Sequence, residues 1–209
     1  PPFLENRHNG YAFVFNRYFF DVATVIPIAS PQMGSEERVA VDRVLRSGTI
    51  AQGPEVSSFE EEFAAMCGVK YAIATNNGTT AGHLAMLAND IGPGDEVITT
   101  PFTFFATASV IMMAGAKPVF ADVEEDGFTL DPIQVAQSIT GKTKAIQPVH
   151  LYGELANVPT LIEIAEKNNL LLIEDSAQAH NAQFWGGRAG SFGKTGWFSF
   201  YPTKNMTTS

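Results

Sequence analysis

Two apolar runs near the carboxyl end of the sequence each lead into a side chain that can do chemistry. Residues 170–173 lead into Glu174 and Asp175, and residues 197–200 lead toward Lys204. Charged groups close to a core must be paired or used, because burying an isolated charge costs free energy. A desolvated lysine becomes an amine nucleophile near neutral pH. An aspartate near such a lysine suggests a pyridoxal phosphate (PLP) site, with the lysine as Schiff base and the aspartate on the pyridinium nitrogen.

Each of these two residues also has a plainer interpretation. Asp175 would serve as a helix N-cap after a strand, with Gln178 as its partner in a capping box. Lys204 would be an ordinary solvated lysine, although the aromatic residues of 198–201 make the approach to it apolar. The residues alone leave both interpretations open.

A phosphate site is suggested by the segment TNNGTT at 75–80, which follows a predicted strand and opens a predicted helix. Gly78 lets the backbone approach a ligand closely, and the N–H groups at a helix start suit a phosphate. A helix cap after a tight turn is the simpler interpretation of this segment. The segment is not a G-x-G-x-x-G dinucleotide fingerprint.

An aromatic residue that could stack on a flat ring follows the next predicted strand. The sequence PFTFF at 101–105 offers Phe104, with Phe102 and Phe105 as competitors. Aromatic faces stack on planar ligands, but packing in the core is the plain alternative for all three.

The composition bounds the class of protein. The 209 residues suffice for one sizeable α/β domain or two small ones, and 45% of them are hydrophobic. The net charge of −9 argues against a nucleic-acid surface, which needs clustered lysine and arginine, but allows a small phosphorylated ligand. No run is long and apolar enough to span a bilayer, so no membrane partner is expected.

The single cysteine, Cys67, rules out a disulfide framework within the chain and favours a reducing compartment, which predicts a cytoplasmic location. It stands just before Gly68, where a helix is predicted to end, so we expect a small buried residue rather than a nucleophile. His150 and His180 lack metal-ligand spacing, and no metal site is predicted.

The elements that would position these residues alternate between strands and helices. Short strands are predicted at 71–74, 96–100, 118–121, 145–149, 171–173 and 197–200, and helices at 80–89, 104–114, 132–138 and 159–167, among others. Such βα units predict a three-layer α/β/α fold with a mainly parallel sheet, whose ligands bind at the carboxyl ends of the strands. Residues 25–209 are expected to form this domain. Residues 1–24, rich in Phe and Tyr but without signal-peptide features, form an extension of uncertain origin.

The order and spacing of several segments resemble the DegT/StrS-type sugar aminotransferase family of fold type I PLP enzymes. The resemblance runs from about residue 26 to residue 208. It rests on the segments IPIASP, SGTIAQGPEVSSFEEEFAAMCGVKYAIATNNGTTAGHLAM, GPGDEVITTPFTFFATA, PVHLYG, IEDSAQAH and FSFYPTKN. No single segment is specific, but their combined order and spacing are.

The resemblance implies a role for seven residues through their places in these motifs. Lys204 in SFYPTKN matches the Schiff-base lysine, and Asp175 in EDSAQ matches the pyridinium partner. The other matches are the phosphate turn (Gly78 and Thr79), the stacking aromatic (Phe104), the residue near the cofactor 3-hydroxyl (Gln178) and a phosphate ligand (Ser199). Asn181 departs from the family, which usually has glycine there, but asparagine tolerates a left-handed backbone.

The same resemblance implies PLP as cofactor and amino transfer from glutamate to a keto-sugar nucleotide, in a homodimer with sites at the interface. Family members continue past the position of Ser209 to complete the large domain and add a small one, so we expect this chain to be incomplete and inactive alone. A non-catalytic PLP- or sugar-binding regulatory protein of the same fold is the alternative function. A PLP sugar dehydratase is disfavoured by Lys204, because those relatives carry histidine at that position.

Overall fold

A computed structural model describes Pro27 and residues 29–208 of the chain. All the elements below belong to one compact unit, residues 31–209. The extension predicted at residues 1–24 lies outside the described residues.

The centre of the unit is a five-stranded sheet in which every neighbouring pair of strands is parallel. Its strands, in the spatial order β2-β1-β3-β4-β7, are β1 (Glu96–Thr99), β2 (Lys117–Phe120), β3 (Thr143–Ile146), β4 (Leu171–Asp175) and β7 (Thr195–Trp197). A separate short hairpin pairs β5 (Gln183–Phe184) with β6 (Gly187–Arg188).

In the described part of the chain, the sheet is accompanied by six α-helices: α1 (Ser35–Ser47), α2 (Pro54–Cys67), α3 (Gly78–Ala88), α4 (Ala106–Met113), α5 (Pro132–Ser138) and α6 (Val158–Lys167). Gly48 and Gly68 end α1 and α2 with positive φ angles of 72° and 75°, a conformation that glycine adopts without steric cost. Helices α3 to α6 begin and end within two residues of their predicted bounds.

Side chains of successive strand residues point to opposite faces of the sheet, and each face has its own hydrophobic core. Val97 of β1 packs in a core with residues of α3 and α4, whereas its neighbour Ile98 packs in a core with residues of α5 and α6. Such a sheet needs helices on both faces to keep its side chains from water. The predicted three-layer α/β/α fold with a parallel sheet is confirmed.

One predicted strand is absent and two are misplaced. The strand predicted at 145–149 is β3, which ends at Ile146. Residues 71–74 do not form a strand, because their backbone finds no ladder partner and the Ala74 N–H bonds to the Glu60 carboxylate at 2.8 Å instead. The strand predicted at 197–200 is β7, which ends at Trp197. The chain then leaves the sheet, and Lys204 lies in a turn beyond it.

Because the strands are parallel, their carboxyl ends share one edge of the sheet, which is the edge where α/β proteins bind ligands. Asp175 ends β4 at this edge, and the segments that leave the edge after β1 and β7 carry the PFTFF sequence and the turn with Lys204, respectively. Within Pro27 and residues 29–208, no helix is long and apolar enough to cross a membrane.

Candidate functional site

A cleft of about 1200 Å³ opens at the carboxyl edge of the sheet. All seven residues singled out in the sequence line it: Gly78, Thr79, Phe104, Asp175, Gln178, Ser199 and Lys204. They come from four separate parts of the chain, so their convergence is a property of the fold rather than of any one motif. Their individual roles remain predictions.

Asp175 is the last residue of β4 and is only 3% exposed. Its Oδ2 accepts a hydrogen bond of 2.6 Å from the Thr107 hydroxyl, and its Oδ1 accepts one of 3.1 Å from the Ala177 N–H. Buried carboxylates persist only when such donors replace water. The carboxylate is therefore held in one orientation by α4 on one side and by its own turn on the other.

Burial raises the pKa of Asp175 to about 6, since the charged form is poorly solvated there. The hydrogen bonds from Thr107 and Ala177 act in the opposite direction, as do the electrostatic interactions with His150 and Lys204. The Asp175 carboxyl group is therefore mainly ionised at neutral pH. A functional role is the usual reason for a perturbed carboxyl in a cleft.

The alternative of a helix N-cap at Asp175 is wrong, because a turn and not a helix follows the residue. Gln178 is likewise no capping partner. Its Oε1 accepts a 3.1 Å hydrogen bond from the Tyr152 N–H, which anchors the side chain at the wall of the cleft.

Glu174, the residue beside Asp175, is fully buried and faces the opposite side of the strand. Its carboxylate accepts hydrogen bonds of 2.7 to 2.8 Å from the N–H groups of Gly190, Phe192 and Gly193. A fourth contact, at 2.9 Å, joins it to His150 Nε2. Glu174 thus fastens the loop before β7 to the sheet. Of the two adjacent acids, Glu174 has a structural role and Asp175 lines the cleft.

Lys204 lies in a tight turn, in which its N–H bonds to the Tyr201 carbonyl at 2.8 Å. Burial lowers the pKa of its ammonium group, and the negative charge of Asp175 partly opposes this shift. A lysine with a lowered pKa presents more of its neutral, nucleophilic amine near pH 7. The interpretation of Lys204 as an ordinary solvated lysine does not account for this environment.

The apolar residues before Lys204 anchor that turn to α2. The ring of Phe63 lies 4.9 Å from that of Phe198 and 5.3 Å from that of Phe200, both edge to face. His180 packs against the same two rings at 5.3 and 5.0 Å. The aromatic cluster fixes the chain on either side of Ser199.

Ser199 packs directly against Gly78, the first residue of α3. A Cβ added to Gly78 would lie 2.8 Å from the Ser199 Cβ and 3.0 Å from the Phe198 carbonyl oxygen, so only glycine fits. Asn77 caps the helix by accepting the Thr80 N–H at 2.8 Å. The helix-cap interpretation of this segment is thus correct. It coexists with a cradle in which the first N–H groups of α3, which have no intrahelical acceptor, lie beside a serine.

Among the three neighbouring phenylalanines, only Phe104 lines the cleft. Phe102 stacks instead on Phe128, with ring centroids 6.1 Å apart and planes inclined by 23°. Phe105 is 74% exposed outside the cleft. None of the three is a core residue, and Phe104 is the one placed to contact a ligand in the cleft.

Two smaller predictions are confirmed. Cys67 is buried, and burial raises the pKa of its thiol, which disfavours the reactive thiolate. Asn181 has a φ of 61°, the left-handed conformation inferred for it, and its side-chain oxygen accepts a hydrogen bond from Arg188.

The sequence interpretation missed Thr103 and Thr107, which connect Asp175 to the start of α4. Thr107 lies in the first turn of α4 and Thr103 lies before that helix, so no helical spacing marks them as partners in the sequence. The sequence does not reveal the acceptor either, which lies 68 residues further along the chain.

Chemically, the cleft combines a lysine of lowered pKa, an ionisable carboxylate, an exposed aromatic face and a glycine–serine cradle at a helix start. Such an arrangement can hold a planar, positively charged ring that carries a phosphate group, and can attach it covalently through an amine.

Comparison with known proteins points to the same chemistry. Residues 31–209 match the DegT/DnrJ/EryC1/StrS aminotransferase family. A pleiotropic regulatory protein of Geobacillus stearothermophilus is 46% identical over 175 residues, which are 84% of this chain and 47% of that protein. The dTDP-3-amino-3,4,6-trideoxy-alpha-D-glucose transaminase of Streptomyces venezuelae is 43% identical over 178 residues, which are 85% and 47% of the two chains.

The X-ray structure of the aminotransferase from Psychrobacter cryohalolentis superimposes with a TM-score of 0.83 at 45% sequence identity. It covers 86% of this chain, which corresponds to 46% of the solved one. The chain thus spans about half the length of the relatives it matches.

Proposed function

The chain belongs to the DegT/DnrJ/EryC1/StrS aminotransferase family, and from that membership we propose that it carries the cofactor site of a PLP-dependent sugar aminotransferase. The enzyme would convert a keto-sugar nucleotide to an amino-sugar nucleotide, with glutamate as amino donor. Residues 25–209 would form its PLP-binding large domain. The observation that carries the proposal is the convergence of Lys204, Asp175 and the Gly78–Ser199 cradle on one cleft.

The residues present fit PLP in charge and shape. The cradle where a Cβ at Gly78 would collide with Ser199 suits the phosphate, together with Thr79 in the first turn of α3. Asp175 supplies an anion for the ring nitrogen, and Phe104 supplies an aromatic face for the ring. Gln178 would lie toward the 3-hydroxyl, and Lys204 would hold the cofactor covalently.

When bound, PLP supplies an electron-accepting ring, which stabilises the negative charge left when a proton is removed from the substrate carbon. Asp175, as an anion beside the ring nitrogen, keeps that nitrogen protonated. Once substrate has displaced it, Lys204 acts through its Nζ as general base and acid, taking a proton from one carbon and returning it to another. The lowered pKa of Lys204 suits this exchange near neutral pH.

The substrates are inferred from relatives. One relative is named as a transaminase of a dTDP-linked amino sugar, which supports a nucleotide-sugar substrate. The glutamate donor rests on the family resemblance alone. Since the chain spans about half of each relative, the activity is proposed for the protein as a whole. The 209-residue chain is expected to be inactive alone, and an assay of 2-oxoglutarate release from glutamate by that chain tests this expectation.

A homodimer with active sites at its interface is part of the proposal. Tyr71, Ile73 and Phe105 are each more than 70% exposed, an apolar exposure typical of surfaces that meet another protein. The cytoplasmic location stays a prediction from the single cysteine.

Covalent labelling tests the proposal directly. The PLP-loaded protein is reduced with borohydride and digested, and the pyridoxyl-labelled peptide is identified by mass spectrometry. We expect the label on Lys204, because its amine has a lowered pKa and lies in the cleft. A label on Lys194 or Lys144 would contradict the assignment.

Gly78→Ala is expected to weaken PLP binding by about tenfold or more, because the new methyl group must push Ser199 or α3 out of place. Binding of pyridoxal, which lacks the phosphate, should change little. Dissociation constants from absorbance titration measure both effects.

Gly141→Ala is the matched control for this change, since a Cβ at Gly141 meets no atom within 4 Å. It should leave the affinities for PLP and pyridoxal unchanged. An equal loss for both ligands in Gly78→Ala would place the phosphate elsewhere.

A second candidate function is a PLP- or sugar-binding regulator without turnover, which the name of the Geobacillus stearothermophilus relative favours. Release of 2-oxoglutarate from glutamate distinguishes the two functions. An enzyme releases it, and continues to do so when supplied with a keto-sugar nucleotide, whereas a regulator binds PLP without this release.

A further inference from the structure

We propose that Thr107 is a positioning residue that fixes the Asp175 carboxylate and links it to the chain segment carrying Phe104. This inference rests on the proposed function, because it concerns the residues expected to contact the edge and the face of the cofactor ring. It starts from a hydroxyl that is 1% exposed and donates a 2.6 Å hydrogen bond to Asp175 Oδ2.

The hydrogen bonds around Thr107 form a chain with one direction. Thr103 Oγ1 lies 2.9 Å from Thr107 Oγ1, and either atom could donate. An ionised Asp175 has no proton to give, so the single hydroxyl proton of Thr107 must point to Asp175. The proton of Thr103 must then point to Thr107. This series of hydrogen bonds therefore runs from Thr103, at the wall of the cleft, through Thr107 to the buried Asp175 carboxylate.

The backbone of Thr107 is also fastened to the sheet. Its carbonyl accepts a 2.9 Å hydrogen bond from Gln147 Nε2, in the segment after β3. The Gln147 carbonyl in turn accepts a 2.8 Å bond from the Thr99 hydroxyl at the end of β1. The first turn of α4 is thus tied to the carboxyl ends of β1, β3 and β4.

This connection gives Thr107 two consequences for the cleft. Phe104 lies between Thr103 and Thr107 in the sequence, so one short segment carries both the residue proposed to stack on the ring and the hydroxyl that bonds to the carboxylate. Catalytic groups need such support to stay within a fraction of an ångström of their working positions. The Thr107 hydroxyl also donates a hydrogen bond to Asp175, and hydrogen bonds to a carboxylate favour its charged form.

The ionisation of Asp175 in the cofactor-free chain tests the inference. The groups that act on Asp175 are the Thr107 hydroxyl and the Ala177 N–H, which donate hydrogen bonds to it, together with His150 and Lys204, which interact with it electrostatically. Thr107→Val removes the hydroxyl while keeping the shape of the side chain. We expect the midpoint of Asp175 titration, followed by carbon NMR of labelled aspartate, to rise by about one pH unit. The signal is assigned by its loss in Asp175→Asn.

Thr107→Ser, which restores the hydroxyl, should titrate like the unmodified chain. Thr129→Val is the matched control: Thr129 is equally buried but does not line the cleft, so its loss of a hydroxyl should leave the midpoint unchanged. An unchanged midpoint in Thr107→Val, or the same rise in Thr107→Ser or Thr129→Val, would overturn the inference.

Should Thr107→Val fail to fold, Thr103→Ala carries the test, because Thr103 is only partly buried and donates to Thr107. A smaller rise of the midpoint supports the inference, and an unchanged midpoint overturns it. The titration needs no cofactor, so its outcome is separate from that of borohydride labelling. A shifted midpoint without label on Lys204 would reject the proposed function and keep the role of Thr107.

Discussion

Lys204→Ala is expected to lower the rate of 2-oxoglutarate release from glutamate by at least about 10⁴-fold, the upper end of what a single general acid–base group contributes. Two functions are lost at once: the covalent hold on the cofactor and the amine that moves the proton. The phosphate cradle and Asp175 remain, so PLP should still bind, although more weakly. The measurement is single-turnover release of 2-oxoglutarate by the PLP-loaded protein.

Two further variants make this result specific. Lys204→Arg keeps the positive charge near Asp175 but cannot be deprotonated, so it should be as inactive as Lys204→Ala. Lys144→Ala removes an exposed lysine of β3 and should retain full activity. Activity within tenfold of the unmodified protein in Lys204→Ala would mean that the chemistry is built elsewhere.

The central layers could be predicted from the sequence because β1 to β4 contain short apolar runs and the helices have a clear period or a glycine stop. The β5–β6 hairpin was not predicted, because its residues form no apolar run. The prediction of a strand at residues 71–74 failed for a physical reason. A strand needs a neighbouring strand to pair with, and the local sequence does not show whether one is present. The Ala74 N–H bonds to Glu60 in α2 instead.

The candidate site could be predicted only residue by residue. The apolar approach to Lys204 and the acid after β4 are visible in the sequence, but the contact between Gly78 and Ser199 joins segments that only tertiary packing brings together. Apart from the family motif EDSAQ, the sequence gives no physical reason to choose between Glu174 and Asp175. Their separation into an anchor and a cleft residue follows from the alternation of β4 and from the loop that covers one of its faces.

Asp175→Asn is expected to lower the same rate by about 10²- to 10³-fold, the usual cost of removing one group that stabilises charge in a transition state. The amide has nearly the shape of the carboxylate but no charge, so it cannot keep the ring nitrogen protonated. PLP affinity should change by less than about tenfold, because Lys204 and the phosphate cradle are intact. Rates and PLP dissociation constants of the loaded protein measure the two effects.

Stability of the cofactor-free chain distinguishes this role from a structural one. The pKa of Asp175 is raised to about 6 in the folded chain from an ordinary value of 3.8, so between these pH values the folded state binds more protons than the unfolded state. The contribution of Asp175 to the free energy of unfolding therefore falls as pH rises from about 4 to 6, and the loss persists at higher pH. Asp175→Asn removes that unfavourable contribution. Its melting temperature at pH 8 should equal or exceed that of the unmodified chain, whereas a marked decrease would show that Asp175 is retained for structure.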